Sequence, residues 1–99
     1  MSLSIIIVNY NTQYYITQTI QSILRSKLDI DYEIIVVDNN SHDNSFSIIE
    51  DEYPKIKLIK NYKNLGFSGA VNVGVKASNS TSILLLNPDT IVDKGAIQV

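Results

Sequence analysis

Four short apolar runs recur along the chain and carry its strongest hydrophobic pattern. Three of them, Ser4–Val8, Tyr32–Val37 and Ser82–Leu86, have little or no polar alternation. Runs of this length that are apolar on both faces are typical of central strands in a parallel sheet. The remaining run, Ile56–Lys60, alternates partly with lysine, so we place that strand nearer an edge.

The segments between these runs have the three- and four-residue spacing of amphipathic helices. The first predicted helix has one apolar stripe, and Thr12 is its predicted N-cap. A second helix is predicted over Ser45–Tyr53, where Pro54 ends it, and a third over Ser68–Ala77. Asp93–Val99 predicts the start of a further helix. The stripe of the first helix comprises Tyr15, Ile16, Thr19, Ile20, Ile23 and Leu24.

Strand and helix alternate throughout the chain. This order predicts right-handed βαβ crossovers and an α/β fold, a three-layer α/β/α sandwich with a mainly parallel sheet. Ligands of such sheets bind at the carboxyl ends of the strands. The residues that follow each apolar run are therefore the first candidates for a functional site.

Amides and carboxylates follow three of the four runs, at residues 9–11, 38–45 and 87–89. These residue types also favour ordinary turns, and Asp43 or Ser45 can simply cap the second helix. Each loop taken singly therefore has a structural explanation. Their common position at one rim of the predicted sheet favours a binding role for the set.

Asp38 directly ends an apolar run, so its carboxylate is predicted to be partly buried and to need hydrogen-bond donors. The ring N–H or sugar hydroxyl of a ligand can supply them. Backbone amides of the following loop can supply them equally well. The spacing leaves both sources open.

Glycines are closely spaced in the segment from Asn64 to Gly74, which leads into the third predicted helix. Gly66 and Gly69 would allow the backbone to approach a ligand, and the helix start near Ser68 would favour an anion. Gly74 predicts close packing of the helix, and Asn72 could face the same rim or be a surface amide. The segment is neither a dinucleotide-binding fingerprint nor a P-loop.

Composition excludes several classes of function. The formal net charge is -2, from 8 basic and 10 acidic side chains, which gives no reason to expect nucleic acid as a partner. The absence of cysteine suits a reducing compartment, so we expect a cytoplasmic protein, working in solution or at the cytoplasmic face of the membrane. The apolar runs are too short to span a membrane. Residues 1–3 can be an expression remnant, and His42 is expected to be solvated.

Four blocks, SIIIVNYNT, EIIVVDNNSHDNS, NYKNLGFSGAVNVG and LLLNPDT, occur in an order and spacing that resemble family 2 glycosyltransferases of the GT-A fold. The rhamnosyltransferase-like branch is the most similar. The resemblance covers residues 4–99 and implies the N-terminal, nucleotide-sugar-binding half of such a domain. It implies inverting transfer of a sugar, rhamnose being one candidate, from a nucleoside-diphosphate sugar to the hydroxyl of a saccharide or lipid-linked acceptor.

The resemblance also implies roles for individual residues. Asp38 falls where the family's second strand ends in a carboxylate that binds the base. Asp89 falls at the D-x-D position and would hold a divalent metal, Mg²⁺ or Mn²⁺, that bridges the diphosphate. The first Asp of that motif is replaced by Asn87, which could add a neutral oxygen. The remaining positions expected at the nucleotide sugar are Asn9, Tyr10, Asn11, Asn40, Asn64, Gly66 and Asn72.

The catalytic base of this family lies after the D-x-D position, and we expect it beyond Val99. Asp93 lies too close to the predicted metal ligand for that role and is interpreted as a helix N-cap. The chain alone is then expected to be inactive. Such a half-domain would expose apolar surface, so self-association is a hypothesis.

Two other readings compete with this one. The chain could be a stand-alone, non-catalytic nucleotide-sugar-binding module or an inactive truncated remnant. A receiver domain of the response-regulator type shares the α/β layout but needs an acidic pair after the first strand. Asn9 and Asn11 stand there instead, which argues against a receiver.

Overall fold

The computed structural model describes residues 2–88, in which strands and helices alternate. The strands are rich in Ile, Val and Leu, and Pro54 comes two residues after Glu52, the last residue of the second helix. The elements are β1 (Leu3–Asn9), α1 (Ile16–Arg25), β2 (Tyr32–Asp38), α2 (Ser45–Glu52), β3 (Lys57–Lys60), α3 (Gly66–Ala77) and β4 (Ser82–Leu86). We call the segment between β1 and α1 the first loop, that between β2 and α2 the second loop, and that between β3 and α3 the third loop.

The four strands form one parallel sheet in the order β3-β2-β1-β4. Helices α1 and α2 pack on one face of this sheet, and α3 packs on the other. Alternate residues of β1 divide accordingly, since Ile5 and Ile7 join the core beneath α1 and α2 while Ile6 joins the core beneath α3. The predicted α/β/α sandwich with a parallel sheet is therefore confirmed.

The chain order creates a topological switch between β1 and β4. From β1 the chain moves outward through β2 to β3, and then returns across the other face through α3 to β4 on the far side of β1. Parallel sheets open a crevice at the carboxyl ends of the strands where such a switch occurs. The ends of β1 and β4, at Asn9 and Leu86, flank that crevice.

Three local predictions were wrong. β4 was expected to be a central strand, but within residues 2–88 it pairs with β1 alone, and Leu85 is 46% exposed. Thr12 does not cap α1 with its side chain, because its hydroxyl donates to Asn9 Oδ1 and the helix begins only at Ile16. β1 begins at the buried Leu3, one residue before the predicted start of this strand at Ser4.

The opposite rim of the sheet is tied together by Glu33. Its carboxylate accepts from Ser4 Oγ at 2.6 Å and from the backbone N–H of Asn79 at 3.2 Å, and lies 3.7 Å from Lys57 Nζ. The hydrogen bond from Ser4 is the main reason that the pKa of Glu33 lies below its usual value. These contacts fix the turn from α3 into β4.

Gly74 lets α3 lie close against the sheet. A Cβ at this position would stand 2.8 Å from Ile6 Cγ2 and 3.2 Å from Val37 Cγ2, both of which are buried core atoms. The predicted packing role of Gly74 is confirmed. A glycine in a helix interior lowers helix stability relative to alanine, and here the close packing of α3 on the sheet requires it.

Gly74→Ala is expected to lower the free energy of unfolding by about 1–3 kcal/mol, because overpacking a core outweighs the roughly 1 kcal/mol that alanine adds to helix propensity. Urea denaturation followed by circular dichroism measures the change. Asn72→Ala, an exposed position on the same helix, is the matched control and should stay within about 0.5 kcal/mol of the wild type. A Gly74→Ala variant more stable than the wild type would contradict the packing argument.

Candidate functional site

A cleft of about 380 Å³ opens at the carboxyl ends of the strands, at the switch between β1 and β4. The first and third loops form two of its walls, and the turn after β4 closes a third side. Thr19 of α1 fixes that turn, since its hydroxyl donates to the backbone oxygen of Pro88 at 2.5 Å. The residues that line the cleft are Val8, Tyr10, Thr12, Asn39, Asn64, Gly66, Phe67, Asn87 and Pro88.

The carboxylate of Asp38 lies beneath this rim and is fully buried. Its neighbour across the β1–β2 register is Asn9, whose Nδ2 donates to Asp38 Oδ1 at 2.7 Å. Ser41 donates to the same carboxylate through Oγ at 2.7 Å and through its backbone N–H at 3.1 Å. The sequence left open whether a ligand or the following loop supplies the donors to Asp38. In the structure they come from the side chain of Asn9 and from the hydroxyl and backbone N–H of Ser41.

Side chains of the first and second loops hold each other in place. Asn11 N–H donates to Ser41 Oγ at 3.0 Å, and Asn11 Oδ1 accepts from the backbone N–H of His42 at 2.7 Å. Both Asn11 and Asn40 have left-handed backbones, with φ of 54° and 66°, a conformation that asparagine tolerates better than most residues. His42 is exposed, as predicted.

Asp43 completes the junction between these loops. Its Oδ1 accepts from the backbone N–H of Ser45 at 3.0 Å and from Ser45 Oγ at 2.5 Å, while Oδ2 accepts from the backbone N–H of Gln13 at 3.1 Å. Burial by itself raises the pKa of Asp43, but these hydrogen bonds outweigh it and hold the pKa below its usual value of 3.8. Neither Asp43 nor Ser45 is the N-cap of α2: the N-cap is Asn44, which makes no side-chain cap hydrogen bond, and Asp43 accepts from the N–H of Ser45, the first residue of the helix.

Asn39 was not predicted as a site residue, although it lines the cleft. Its side chain joins the end of β2 to the third loop through bonds to Asn61, Asn64, Leu65 and Gly66. These partners lie 22 to 27 positions away in sequence. One sequence signal could have indicated Asn39. Successive side chains of an extended chain point to opposite faces of the sheet, so the residue after Asp38 faces away from it.

Gly66 begins α3 at the edge of the cleft with a left-handed φ of 75°. No atom lies within 4 Å of the position that a Cβ would occupy there, so the backbone faces open space. The first turn of a helix carries N–H groups without partners inside the helix, and its positive end favours an anion. The positive end of α3 therefore lies at the edge of the cleft, where the N–H of Gly66 donates to Asn64 Oδ1 at 2.8 Å.

A second groove of about 160 Å³ continues from the cleft along α3 and β4. Val8, Phe67 and Asn87 line both spaces. Leu85 of β4 and Val71 of α3 also line the groove. The site therefore extends from the strand ends into the space between α3 and β4.

The predicted site residues fall into four groups. Tyr10, Asn64, Gly66 and Asn87 line the cleft; Asn9 and Asp38 lie buried beneath it; Asn11 and Asn40 belong to the junction of the first two loops; Asn72 is exposed on α3 and does not line the cleft. Asp89, the predicted metal ligand, lies outside the described residues. Within residues 2–88 no group of three His, Cys, Asp or Glu side chains could hold a metal ion. Asn87 contributes one neutral oxygen, which fits a hard cation only together with further oxygens from Asp89 and a diphosphate.

Comparison with known proteins places this cleft in context. The chain matches the family described as Glycosyl transferase family 2 over residues 4–99. An uncharacterized glycosyltransferase of Nostoc sp. is 37% identical over 95 residues, which cover 92% of this chain and 29% of that protein. The Escherichia coli UDP-Glc:alpha-D-GlcNAc-diphosphoundecaprenol beta-1,3-glucosyltransferase WfgD is 34% identical over 89 residues, covering 89% of this chain and 35% of WfgD. The chain thus spans about a third of the length of these relatives.

Solved structures agree with the sequence comparison. The crystal structure of Staphylococcus aureus TarS 1-349 in complex with UDP-GlcNAc superposes with a TM-score of 0.82 at 29% identity, covering 95% of this chain and 28% of TarS. The predicted GT-A fold is confirmed by this match. No helix among residues 2–88 is long and apolar enough to cross a membrane.

Acidification should weaken the junction between the first two loops. Because the pKa of Asp43 is lower in the folded state than its usual value of 3.8, its contribution to stability is complete above that value and is lost as the pH falls through the folded pKa. Asp43→Asn should therefore show a shallower loss of stability below pH 3.8 than the wild type in urea denaturation at stepped pH. Glu33→Gln removes the carboxyl at the opposite rim whose pKa is also lowered, so it should likewise make the loss of stability with acid shallower. An unchanged acid slope in Asp43→Asn would contradict the role of this carboxylate.

Proposed function

The chain belongs to glycosyl transferase family 2, and from that premise we propose that residues 4–99 are the nucleotide-sugar-binding half of an inverting glycosyltransferase. The enzyme transfers a sugar from a nucleoside-diphosphate sugar to an acceptor hydroxyl. The observation that carries the proposal is the cleft at the β1–β4 switch, where Tyr10, Asn64 and Asn87 converge on the start of α3. Such crevices are the usual nucleotide sites of parallel sheets.

The two walls of the cleft suit the two parts of a nucleotide. Tyr10 is 43% exposed and offers an aromatic ring on which a planar base can stack. Across the cleft, the N–H groups of the first turn of α3 beyond Gly66 are proposed to meet the diphosphate, since the Gly66 N–H itself donates to Asn64 Oδ1 at 2.8 Å. UDP is the donor nucleotide proposed here, supported by the UDP-GlcNAc bound to TarS. Deoxythymidine diphosphate is the other pyrimidine carrier considered, and rhamnose as the transferred sugar stays a prediction from the resemblance.

We place the divalent metal on Asp89, with Asn87 and the diphosphate as further oxygen ligands. When bound, a Mg²⁺ or Mn²⁺ ion neutralises the charge that develops on the leaving diphosphate. The described residues contribute the position of the turn, which Thr19 fixes through the backbone oxygen of Pro88. One carboxylate plus phosphates and waters is an ordinary site for such a cation.

The acceptor is proposed to be a saccharide or a lipid-linked saccharide, in polysaccharide biosynthesis at the cytoplasmic face of a membrane. WfgD, whose name specifies a diphosphoundecaprenol-linked acceptor, supports this class. Self-association through the exposed apolar residues of β4 and α3 stays a prediction; Ile83 and Leu85 are the exposed positions on β4. The alternative of a non-catalytic nucleotide-sugar-binding module predicts the same donor binding without transfer, so product formation by the full-length protein separates the two.

A titration of the full-length protein with UDP, deoxythymidine diphosphate, GDP and ADP, each with and without Mn²⁺, tests the donor assignment. Pyrimidine diphosphates should raise the melting temperature and bind with the lowest Kd in calorimetry. Stabilisation by none of them would refute the proposal. Tyr10→Ala should weaken UDP binding by between about fivefold and about 150-fold, because stacking of a base on an aromatic ring contributes about 1–3 kcal/mol.

Tyr14→Ala is the matched control for this experiment. Tyr14 belongs to the same loop as Tyr10 but is 80% exposed and does not line the cleft. Its removal should leave the affinity for UDP unchanged. Equal losses in the two variants would show that the base does not stack on Tyr10.

Asp89→Asn tests the metal assignment. The variant should lose the gain in UDP affinity that Mn²⁺ gives the wild type, while binding of uridine, which carries no phosphate, stays unchanged. Asp29→Asn, an exposed carboxylate in the segment between α1 and β2, should keep the full effect of Mn²⁺. The assignment is wrong if Mn²⁺ strengthens UDP binding equally in Asp89→Asn and in the wild type.

A further inference from the structure

The hydroxyl of Ser41 uses its whole hydrogen-bonding capacity between the second loop and the first. A serine hydroxyl has one donor and two acceptor lone pairs. Ser41 Oγ donates to the buried Asp38 Oδ1 at 2.7 Å. It accepts from the backbone N–H of Asn11 at 3.0 Å and from Asn9 Nδ2 at 3.4 Å. This one hydroxyl therefore joins the buried carboxylate to the first loop.

The contacts of Ser41 lie on both sides of Tyr10 along the chain. Besides accepting from Asn11 N–H, Ser41 Oγ lies 3.5 Å from the backbone oxygen of Asn9. Asn11 itself has a left-handed φ of 54°, and its Oδ1 accepts from the backbone N–H of His42 at 2.7 Å. The second loop thus fixes the turn that carries Tyr10.

The position of the Tyr10 ring depends on this turn. The ring lines the cleft and is 43% exposed. Among residues 2–88, Tyr10 belongs to neither of the two apolar cores, so packing in a core does not hold its ring. The backbone on either side of Tyr10 therefore sets where the ring stands relative to the cleft.

Removal of the Ser41 hydroxyl would loosen the first loop and leave the rest of the fold in place. In Ser41→Ala, the Asp38 carboxylate would keep two donors, Asn9 Nδ2 at 2.7 Å and the backbone N–H of position 41 at 3.1 Å. Asn11 is exposed, so water can accept from the N–H that the hydroxyl no longer meets. The ladder between β1 and β2 ends at Asn9 and Asp38, before this loop begins.

We propose that Ser41 is a positioning residue for the base of the donor nucleotide. By holding the first loop against the buried carboxylate, its hydroxyl keeps the ring of Tyr10 in the orientation in which a planar base stacks on it. Ser41 does not itself line the cleft, so it acts through Tyr10 and not by touching the nucleotide. This inference rests on the proposed function.

Calorimetric titration of the full-length protein with UDP tests the inference in a double-variant cycle. Ser41→Ala should raise the Kd for UDP about threefold to tenfold in the wild-type background, and equally in Tyr10→Phe, which keeps the ring. In Tyr10→Ala, which has no ring to position, the same change should alter the Kd by less than about twofold. A merely structural role would weaken UDP binding by the same factor in all three backgrounds, and that result would overturn the inference.

Ser4→Ala is the matched control at the opposite rim. It also removes a hydrogen bond from a serine hydroxyl to a carboxylate, that of Ser4 Oγ to Glu33 at 2.6 Å. Its melting temperature should fall, while its Kd for UDP stays within about twofold of the wild-type value, because the two sites are independent. An equal rise in Kd in Ser4→Ala and Ser41→Ala would contradict the positioning role, since a loss of stability alone would then explain both.

Asn11→Gly keeps the inference testable if Ser41→Ala does not fold. Glycine adopts the left-handed backbone of this position freely, so the variant loses the bond from His42 N–H without straining the turn. It should raise the Kd for UDP in the wild-type background and not in Tyr10→Ala. A wild-type Kd in Ser41→Ala, or in Asn11→Gly where the former does not fold, refutes the positioning role alone. A wild type that binds no pyrimidine diphosphate refutes the proposed function, and this inference falls with it.

Discussion

The arrangement of the loops at the carboxyl ends of the strands depends on the buried carboxylate of Asp38. A charge removed from water must be paired or hydrogen-bonded, and Asp38 is fully enclosed at the end of an apolar strand. The β1–β2 register sets Asn9 beside it, and Ser41 turns back to supply two more donors. Because Asn9 Nδ2 also donates to Ser45 Oγ at 2.9 Å, the start of α2 is fixed by the same group. The loops around the cleft are thus arranged first to satisfy a carboxylate beneath it.

Each rim of the sheet has its own carboxylate, and the strands between them are almost wholly apolar. At the opposite rim the carboxylate of Glu33 accepts hydrogen bonds from Ser4 and from the turn before β4, and it forms an ion pair with Lys57. Hydrogen bonds to these carboxylates hold the two rims. The interior of the sheet is held by apolar packing, with α1 and α2 on one face and α3 on the other. The polar side chains at the cleft lie in the loops and at the strand ends, where Asn9 ends β1 and Asp38 ends β2.

The fold could be predicted from the sequence because its signal is local. Runs such as Ile5-Ile6-Ile7-Val8 and the spacing of Ile16, Ile20 and Ile23 are contained within single elements. Two of the differences depend on distant partners, whereas the N-cap of α1 was missed because the hydroxyl of Thr12 donates to Asn9, only three residues away. Whether a strand is central depends on what pairs with its outer edge, which the composition of β4 does not encode. Asn39 was overlooked for the same reason, since its partners belong to a loop reached only after another helix and strand.

Charge distribution bears on the proposed binding of an anionic diphosphate. None of the described side chains that line the cleft is charged; the polar ones are amides, a hydroxyl and a phenol. The buried carboxylate of Asp38 lies nearby, and both of its oxygens accept hydrogen bonds from Asn9 or Ser41. No positive side chain among the described lining residues offsets the charge of a diphosphate. In the proposed function the attraction must therefore come from backbone N–H groups at the cleft and from the cation proposed on Asp89.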